Sequence, residues 1–147
     1  MKIDFQPMAD THLDEVYQIE KAAHGWPWSE SLIRQKPGRF GFNWVAMLNG
    51  KVAGYYYGQC VAGEATLLNI AVSPDSQGKG IGKALLNDFL EKSETMGGEE
   101  AWLEVRASNS RAAGLYESVG FNEIDRRIGY YPAKQGKEDA LIMTYLF

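Results

Sequence analysis

The feature that most constrains the fold is a central stretch with the pattern of strand, glycine-rich turn, helix and strand. Ala65–Val72 is a mostly apolar run that ends at a Ser-Pro-Asp turn. Apolar residues then recur at helical spacing over Ile81–Met96, and Ala101–Val105 is a second apolar run. Two strands joined by a helix of this length pair in parallel through a right-handed crossover. The stretch therefore predicts an α/β chain with a parallel β-α-β unit at its centre.

The segments on either side predict further strands and helices. Asn49-Gly50, between two β-rich runs at Trp44–Leu48 and Val52–Cys60, is the strongest local hairpin signal. Thr11 and Ser29 are candidate N-caps of two helices before that hairpin. The remaining predicted elements are strands at Ile3–Gln6, Asn122–Tyr130 and Leu141–Phe147 and a helix at Ser110–Val119, which Gly120 ends. No repeat or linker interrupts residues 1–147, so we expect a single domain.

Composition narrows the class of protein. A formal charge of −4 argues against a protein that coats nucleic acid or an anionic membrane through bulk charge. A single cysteine and two histidines make an internal disulfide and a structural zinc site improbable. No segment reaches the ~18 apolar residues of a membrane span. We therefore expect a cytoplasmic protein without metal, and without direct nucleic-acid or membrane contacts.

The most informative local feature is the loop Gln77–Lys83, which consists of Gln77, Gly78, Lys79, Gly80, Ile81, Gly82 and Lys83. Alternating glycines let the backbone approach a ligand, and the helix that follows offers free N–H groups that suit a phosphate. The loop departs from the P-loop because Ala84 follows Lys83, and from the dinucleotide fingerprint because its third glycine is missing. A flexible turn with solvated lysines is the alternative to an anion site.

Two titratable side chains are candidates for proton transfer. Strand alternation places Glu104 and Arg106 on one face, so Glu104 is either functional or part of an ion pair with Arg106 or across the sheet. Tyr116 falls on the apolar stripe of its helix, where a core tyrosine with a satisfied hydroxyl is the alternative. Asn109 lies on the same face at the start of that helix. In an open α/β sheet the three could converge near the phosphate loop.

The glycine-rich loop and several other stretches resemble the motifs of a known family. The pattern Gln77-x-x-Gly80-x-Gly82 after a strand resembles the acyl-coenzyme A signature of the Gcn-five-related N-acetyltransferases. The resemblance covers almost the whole chain. Within the family, the chain most resembles a bacterial branch that acetylates the N-terminal alanine of small-subunit ribosomal protein eighteen. The stretches that carry it are His24–Glu30, Glu64–Val72, Leu103–Asn109, Leu115–Asn122 and Tyr130-Tyr131-Pro132.

The resemblance implies a fold and a set of roles. The fold would be a mixed, mostly antiparallel sheet of about six to seven strands, flanked by helices, with a central parallel crossover. Acetyl-CoA would be the cosubstrate, without a metal. Glu104 would be the general base and Tyr116 the general acid. The coenzyme would be held by Ile70, Ala71, Val72, Gln77, Gly78, Lys79, Gly80, Ile81, Gly82, Lys83 and Asn109.

The acceptor implied by the resemblance is the N-terminal peptide of that ribosomal protein. We expect it between the His24–Trp28 segment and the Arg126–Pro132 hairpin, where Trp26, Trp28, Tyr130 and Tyr131 are either walls of a peptide site or satellite core packing. Acetylation of a small amine such as a polyamine or antibiotic is an alternative, as is a coenzyme-A-binding module without catalysis. We expect a monomer, and we expect Cys60 to be a buried small side chain and not an acyl carrier.

Overall fold

The helices and strands follow one another in the order that the sequence predicts. The computed structural model describes every residue from Met1 to Phe147. Its elements are β1 (Asp4–Pro7), α1 (Leu13–Ala23), α2 (Glu30–Arg34), β2 (Gly41–Leu48), β3 (Lys51–Val61), β4 (Glu64–Val72), α3 (Ile81–Thr95), β5 (Glu100–Arg106), α4 (Ser110–Val119), β6 (Asn122–Pro132) and β7 (Lys137–Leu146), with short 3-10 turns at Asp10–His12 and Pro74–Ser76. None of the helices is long and apolar enough to cross a membrane.

The strands form one seven-stranded sheet in the order β1-β2-β3-β4-β5-β7-β6. β4 and β5 are parallel, whereas β1 with β2, β2 with β3, β5 with β7 and β6 with β7 are antiparallel. The parallel register joins Glu64–Thr66 to Glu100–Trp102 and ends there. The mixed, mostly antiparallel sheet with a central parallel β-α-β connection is therefore confirmed.

The predicted hairpin forms between β2 and β3, where Leu48 pairs with Lys51 across a two-residue turn. Asn49 has φ 53° and Gly50 has φ 77°. Two consecutive positive φ values are the geometry of a type I′ turn, whose twist matches that of the flanking strands. Asn and Gly are the residues that tolerate this conformation, which is why the sequence signal was reliable.

Of the two predicted N-caps, one is confirmed and one is wrong. The Ser29 hydroxyl accepts a hydrogen bond from the backbone N–H of Leu32 at 3.2 Å and so caps α2. Thr11 instead lies inside the 3-10 turn, and α1 begins after His12. The reason is local, because helical geometry begins earlier than predicted: Ala9 is the N-cap of the 3-10 turn Asp10–His12, which leads directly into α1.

The chain divides into two compact units. The first comprises Met1–Gln59 and Leu67–Phe89, and the second comprises Cys60–Thr66 and Leu90–Phe147. The core of the first unit is formed by buried residues from α1, α2 and strands β2 to β4, namely Val16, Ile19, Ile33, Val45, Val52, Tyr55, Tyr57 and Ala71. The second contains β5, α4, β6 and β7, and its buried residues include Leu103, Val105, Phe121 and Met143. The single domain over residues 1–147 stays a prediction.

Gly54 on β3 lets two elements of the first unit approach closely. A Cβ at this position would lie 2.7 Å from the backbone oxygen of Ala71 on β4 and 2.8 Å from Cδ1 of Leu85 on α3. Both distances are shorter than real Cβ contacts, and the first of them involves backbone that cannot rotate away. Gly54 therefore sets how near β4 and α3 lie to the centre of the sheet.

We expect Gly54→Ala to lower the free energy of unfolding by about 1–3 kcal/mol, because overpacking forces the backbone of β4 or the side chain of Leu85 to shift. Urea denaturation followed by circular dichroism measures the effect. Gly114→Ala is the control, since Gly114 lies in α4 and an added Cβ there meets nothing within 4 Å. That control is expected to be stabilising by about 0.5–1 kcal/mol, and equal stability of Gly54→Ala and wild type would refute the packing role.

Candidate functional site

The first part of the candidate site is the end of β4. Ala71 is buried, while Ile70 and Val72 are partly exposed. All three lie beyond Thr66, the last residue of the parallel register with β5. The Ser73 N–H donates to the Ala53 carbonyl at 2.7 Å, which holds the end of β4 against β3. The backbone of Ile70 to Val72 is thus fixed in extended form without taking part in that register.

The glycine-rich loop follows, and two of its glycines are conformationally required. Gly78 and Gly80 both have φ 78°, in the left-handed region that other residues seldom adopt. A Cβ at either position would meet no atom within 4 Å, so the requirement comes from the backbone and not from crowding. Gln77 Nε2 donates to the Val72 carbonyl at 3.4 Å, which ties the loop back to β4.

The loop leads into the N-terminus of α3. The first intrahelical bond runs from the Ala84 N–H to the Gly80 carbonyl at 3.1 Å, so the N–H groups of Ile81, Gly82 and Lys83 have no helical acceptor. Lys79 and Lys83 are exposed, and no acidic residue lies in the first turn. The side chain of Ile81 is buried and anchors the turn. This arrangement of amides, helix dipole and lysines can hold a phosphate.

The second unit carries both candidates for proton transfer. Leu103 and Val105 are buried, and Glu104 between them points to the opposite face of β5 with its side chain about one third exposed, at 33%. Its Oε1 lies 3.5 Å from Nη2 of Arg127, which is on β6. The carboxylate thus has a cross-strand ion pair, one of the two predicted alternatives, and it also remains open to solvent.

Of the two ion pairs considered for Glu104, the structure shows the one across the sheet, while Arg106 pairs with Glu138. The Arg106 Nη1 donates to Glu138 Oε1 at 2.8 Å and to the Pro132 carbonyl at 2.7 Å, and the Ser108 N–H donates to the other Glu138 oxygen at 3.2 Å. The hydrogen bond from Arg106 and those from Ser108 lower the pKa of the Glu138 carboxyl. Arg106 therefore fastens the end of β5 to the β6–β7 hairpin and leaves Glu104 to Arg127.

Tyr116 is buried at 7% exposure, with its ring edge-to-face against Phe121 at 6.1 Å. Its hydroxyl makes no hydrogen bond to another protein group, so the alternative of a core tyrosine with a satisfied hydroxyl is not observed. Burial, with a smaller contribution from Tyr131, raises the pKa of Tyr116 to about 12. The hydroxyl is therefore a protonated donor at neutral pH.

Tyr131 was predicted only as a wall of the peptide site or as core packing, and the structure places it next to the residues proposed for proton transfer. Its ring lies under the Arg106 guanidinium at 4.4 Å, and burial followed by the charge of Glu104 raises its pKa. The same hydroxyl contributes to the raised pKa of Tyr116. Glu104 and Tyr116 are thus both electrostatically linked to Tyr131. In the sequence, only the Tyr130-Tyr131-Pro132 stretch indicates that Tyr131 is important. Its contact with Arg106 on β5 results from the pairing of β6 with β7.

The other residues predicted for the coenzyme and peptide sites differ in how far they are exposed. Asn109 is the N-cap of α4, where its Oδ1 accepts the Ala112 N–H at 3.3 Å. Trp28 packs edge-to-face on Tyr57 at 5.0 Å and belongs to the periphery of the core. Trp26 and Tyr130 are about half exposed, at 49% and 48%. Of these aromatic side chains, Trp26 and Tyr130 offer the most open surface.

Cys60 is buried, as predicted, and its Sγ lies 4.0 Å from the Ser93 carbonyl oxygen. Burial raises the pKa of the thiol. Because the thiolate is the nucleophile, this environment opposes the use of Cys60 as an acyl carrier. No group of three or more His, Cys, Asp or Glu side chains is arranged to hold a metal ion.

Comparison with known proteins identifies the family. The model of the acetyltransferase (GNAT) family matches residues 13–121. The chain is 48% identical over 134 residues to the [ribosomal protein bS18]-alanine N-acetyltransferase of Escherichia coli strain K12, which covers 91% of this chain and 90% of that protein.

Solved structures agree with this result. The crystal structure of the ribosomal-protein-S18-alanine N-acetyltransferase from Escherichia coli superposes with a TM-score of 0.92 at 44% identity, over 99% of this chain and 94% of that chain. Arabidopsis thaliana NAA60 in complex with acetyl-CoA has a TM-score of 0.87 at 20% identity over 99% of both chains, a likeness in fold alone. The chain therefore belongs to the acetyltransferase (GNAT) family and has its fold.

Proposed function

We propose that this protein is an acetyl-CoA-dependent Nα-acetyltransferase that acetylates the N-terminal alanine of ribosomal protein bS18, the small-subunit ribosomal protein eighteen. The observation that carries the proposal is the 48% identity, over nine tenths of both chains, to an enzyme named for that reaction. The solvent-accessible carboxylate of Glu104 and the protonated hydroxyl of Tyr116, both in the second unit, are able to supply a general base and a general acid for acetyl transfer to an amine.

The residues expected to hold the coenzyme lie in the first unit, apart from Asn109. Ile70 to Val72 would pair their backbone with the amides of the pantetheine arm, since the register with β5 ends at Thr66. The loop from Gln77 to Lys83 would hold the pyrophosphate through the helix amides. A backbone N–H near Ile70 would donate to the thioester oxygen as negative charge develops on it. Asn109 would contact the coenzyme in addition to capping α4.

The reaction starts with the removal of a proton from the acceptor. An α-amino group has a pKa of ~8, so most of the substrate is ammonium at neutral pH and has no lone pair to attack with. Glu104, directly or through water, would accept that proton. The carboxylate lies 3.5 Å from the Arg127 guanidinium and keeps about one third of its side chain exposed, so an acceptor or a water can reach it.

The amine nitrogen then attacks the carbonyl carbon of the thioester, the nitrogen of the adduct loses its second proton to water, and the carbon–sulfur bond breaks. The departing coenzyme A thiolate would take its proton from Tyr116, and the tyrosinate would regain a proton from water. Transfer is direct, and the raised pKa of buried Cys60 supports this over an acyl-enzyme route. The products are the acetylated peptide and the free thiol of coenzyme A.

Two features are compatible with a peptide acceptor. Trp26 in the first unit and Tyr130 in the second each expose an aromatic side chain that is able to contact a peptide residue. The net charge of −4 favours encounter with a basic ribosomal protein, which raises the association rate more than the specificity. A polyamine would satisfy the charge argument without using the aromatic side chains.

The proposal is tested by incubating the purified protein with acetyl-CoA and one of three acceptors: a peptide with the bS18 N-terminus, spermidine, or an aminoglycoside. We expect thiol release with the peptide and a mass gain of one acetyl group at its α-amino group. The same peptide with a blocked N-terminus is the control and is expected to be inert. Preference for spermidine or the antibiotic would instead indicate a small-amine acetyltransferase, and tight coenzyme binding without thiol release would indicate a binding module.

A further inference from the structure

A buried carboxylate in the first unit has no part in the chemistry described above. Glu20 lies in the last turns of α1 and is 1% exposed. A carboxylate is seldom buried unless donors surround it, because it loses its hydration. Its surroundings therefore indicate what it holds in place.

Three donors from three different segments converge on Glu20. The Tyr55 hydroxyl of β3 donates to Oε1 at 2.5 Å, and the Asn69 side-chain amide of β4 donates to the same oxygen at 2.8 Å. The backbone N–H of Trp28 donates to Oε2 at 2.9 Å. Burial, and after it the Glu20 charge, raises the pKa of Tyr55, so its hydroxyl remains a donor. Each oxygen thus ties a different part of the unit to α1.

The contact at Oε2 fixes the loop that connects α1 to α2. The main chain from His24 to Ser29 is neither helix nor strand, so the Trp28 amide has no partner from regular secondary structure. The Trp28 ring meets Tyr57 edge-to-face at 5.0 Å, which is a second attachment of the same residue. Between them, Glu20 and Tyr57 set the position of the loop that ends in Ser29.

The contacts at Oε1 fix the strand that would hold the coenzyme. Asn69 immediately precedes Ile70, the residue proposed to lie nearest the thioester oxygen. The Asn69 Oδ1 also lies 3.1 Å from Nε2 of His24, which is the C-cap of α1. The Asn69 amide is therefore held on both sides, by Glu20 and by His24. One carboxylate thus links the loop containing Trp26 to the strand that contains Ile70.

We propose that Glu20 is a positioning residue of the transferase, which sets the His24–Trp28 loop relative to strand β4 so that the acceptor peptide and the thioester meet in the correct geometry. This inference rests on the proposed function. Hydrogen bonds of this kind matter because a displacement of about 1 Å in reacting groups can lower turnover by a factor of about 10².

The test compares Glu20→Met with Tyr57→Phe. Methionine keeps the volume and removes all three acceptor contacts. Tyr57→Phe is the matched control, since it keeps the ring that contacts Trp28 and removes only a buried hydroxyl, which donates to the Ile33 carbonyl at 2.8 Å and not to Glu20. We expect Glu20→Met to lower kcat/KM for the acceptor peptide by at least about tenfold. The dissociation constant of acetyl-CoA is expected to stay within about twofold, because Asn69 keeps its contact with His24 and the Ser73 N–H still holds the end of β4 to β3. The control is expected to change neither.

A second readout does not depend on activity. Hydrogen exchange of the Trp28 amide, followed by NMR, is expected to be about tenfold faster in Glu20→Met, because its only acceptor has been removed, and unchanged in Tyr57→Phe. Glu20→Gln is expected to give intermediate values in both measurements, since its amide offers one acceptor oxygen in place of two. If Glu20→Met does not fold, the comparison is made with Glu20→Gln.

Unchanged Trp28 exchange in folded Glu20 variants would overturn the proposal. So would equal losses of peptide kcat/KM and of coenzyme affinity in the Glu20 variants, since these indicate a purely structural role. If the wild-type protein acetylates no amine, the proposed function fails. Faster Trp28 exchange in the variant would then still show that Glu20 holds the loop, so the two failures are distinguishable.

Discussion

Replacing Glu104 by Gln is expected to lower kcat for an alanine-starting peptide by about 10²–10⁴-fold, the usual contribution of a positioned general base. Glutamine keeps the shape of the side chain but cannot accept a proton from the ammonium group. The dissociation constant of acetyl-CoA, measured by calorimetry, is expected to change by less than about twofold, because the coenzyme residues lie on other segments. Steady-state kinetics with the peptide as the varied substrate measure the loss.

The pH dependence sharpens this prediction. Because the α-amino group has a pKa of ~8, solvent removes its proton at higher pH without help from the protein. The defect of Glu104→Gln is therefore expected to shrink as the pH rises from about 7 to 9.5. Glu100→Gln is the matched control, since Glu100 lies at the start of the same strand. A Glu104→Gln variant with turnover within about twofold of wild type would remove Glu104 as the base.

Tyr116→Phe is expected to lower kcat by a similar factor of about 10²–10⁴, since the departing thiolate loses its proton donor. Phenylalanine keeps the ring contact with Phe121. Because the hydroxyl makes no hydrogen bond within the protein, the free energy of unfolding is expected to change by less than about 0.5 kcal/mol. Loss of activity without loss of stability would separate catalysis from packing.

The raised pKa of Tyr116, about 12, predicts how its activity depends on pH. The protonated form is the donor, and it persists at every pH below that value. The wild-type rate is therefore expected to show no alkaline decline from this group up to about pH 10.5. Tyr145→Phe is the control, because Tyr145 also contacts Phe121, at 5.5 Å. Full activity of Tyr116→Phe would exclude Tyr116 as the acid.

The secondary structure was predictable wherever a signal is carried by neighbouring residues. The Asn49-Gly50 turn, the Ser29 cap and the helix Ser110–Val119 follow from φ preferences, capping and apolar periodicity, and all three are confirmed. The Thr11 cap was wrong because a 3-10 turn with Ala9 as its N-cap starts before Thr11 and runs directly into α1. Local rules name suitable capping residues but do not place the first helical residue.

The sequence predicts which residues belong to the candidate site, but not which of them contact one another. The loop from Gln77 to Lys83 could be read as an anion site because its glycines and helix start are consecutive in the chain. The partner of Glu104 could not be read, because Arg127 is on another strand and Arg106, nearer in sequence, is drawn to Glu138 by the β6–β7 hairpin. Which acid meets which base depends on strand register.

By itself the sequence determined the order of elements, the turn geometries, the phosphate-type loop and the family to which its motifs belong. The tertiary structure alone decided which side chains are buried and paired: Glu20 meets Asn69 from 49 residues away, and Gly54 admits the backbone of Ala71. The physical reason is range. Backbone preferences and periodicity act within a few residues, whereas burial and hydrogen-bond partners are set by segments that only the folded sheet brings together.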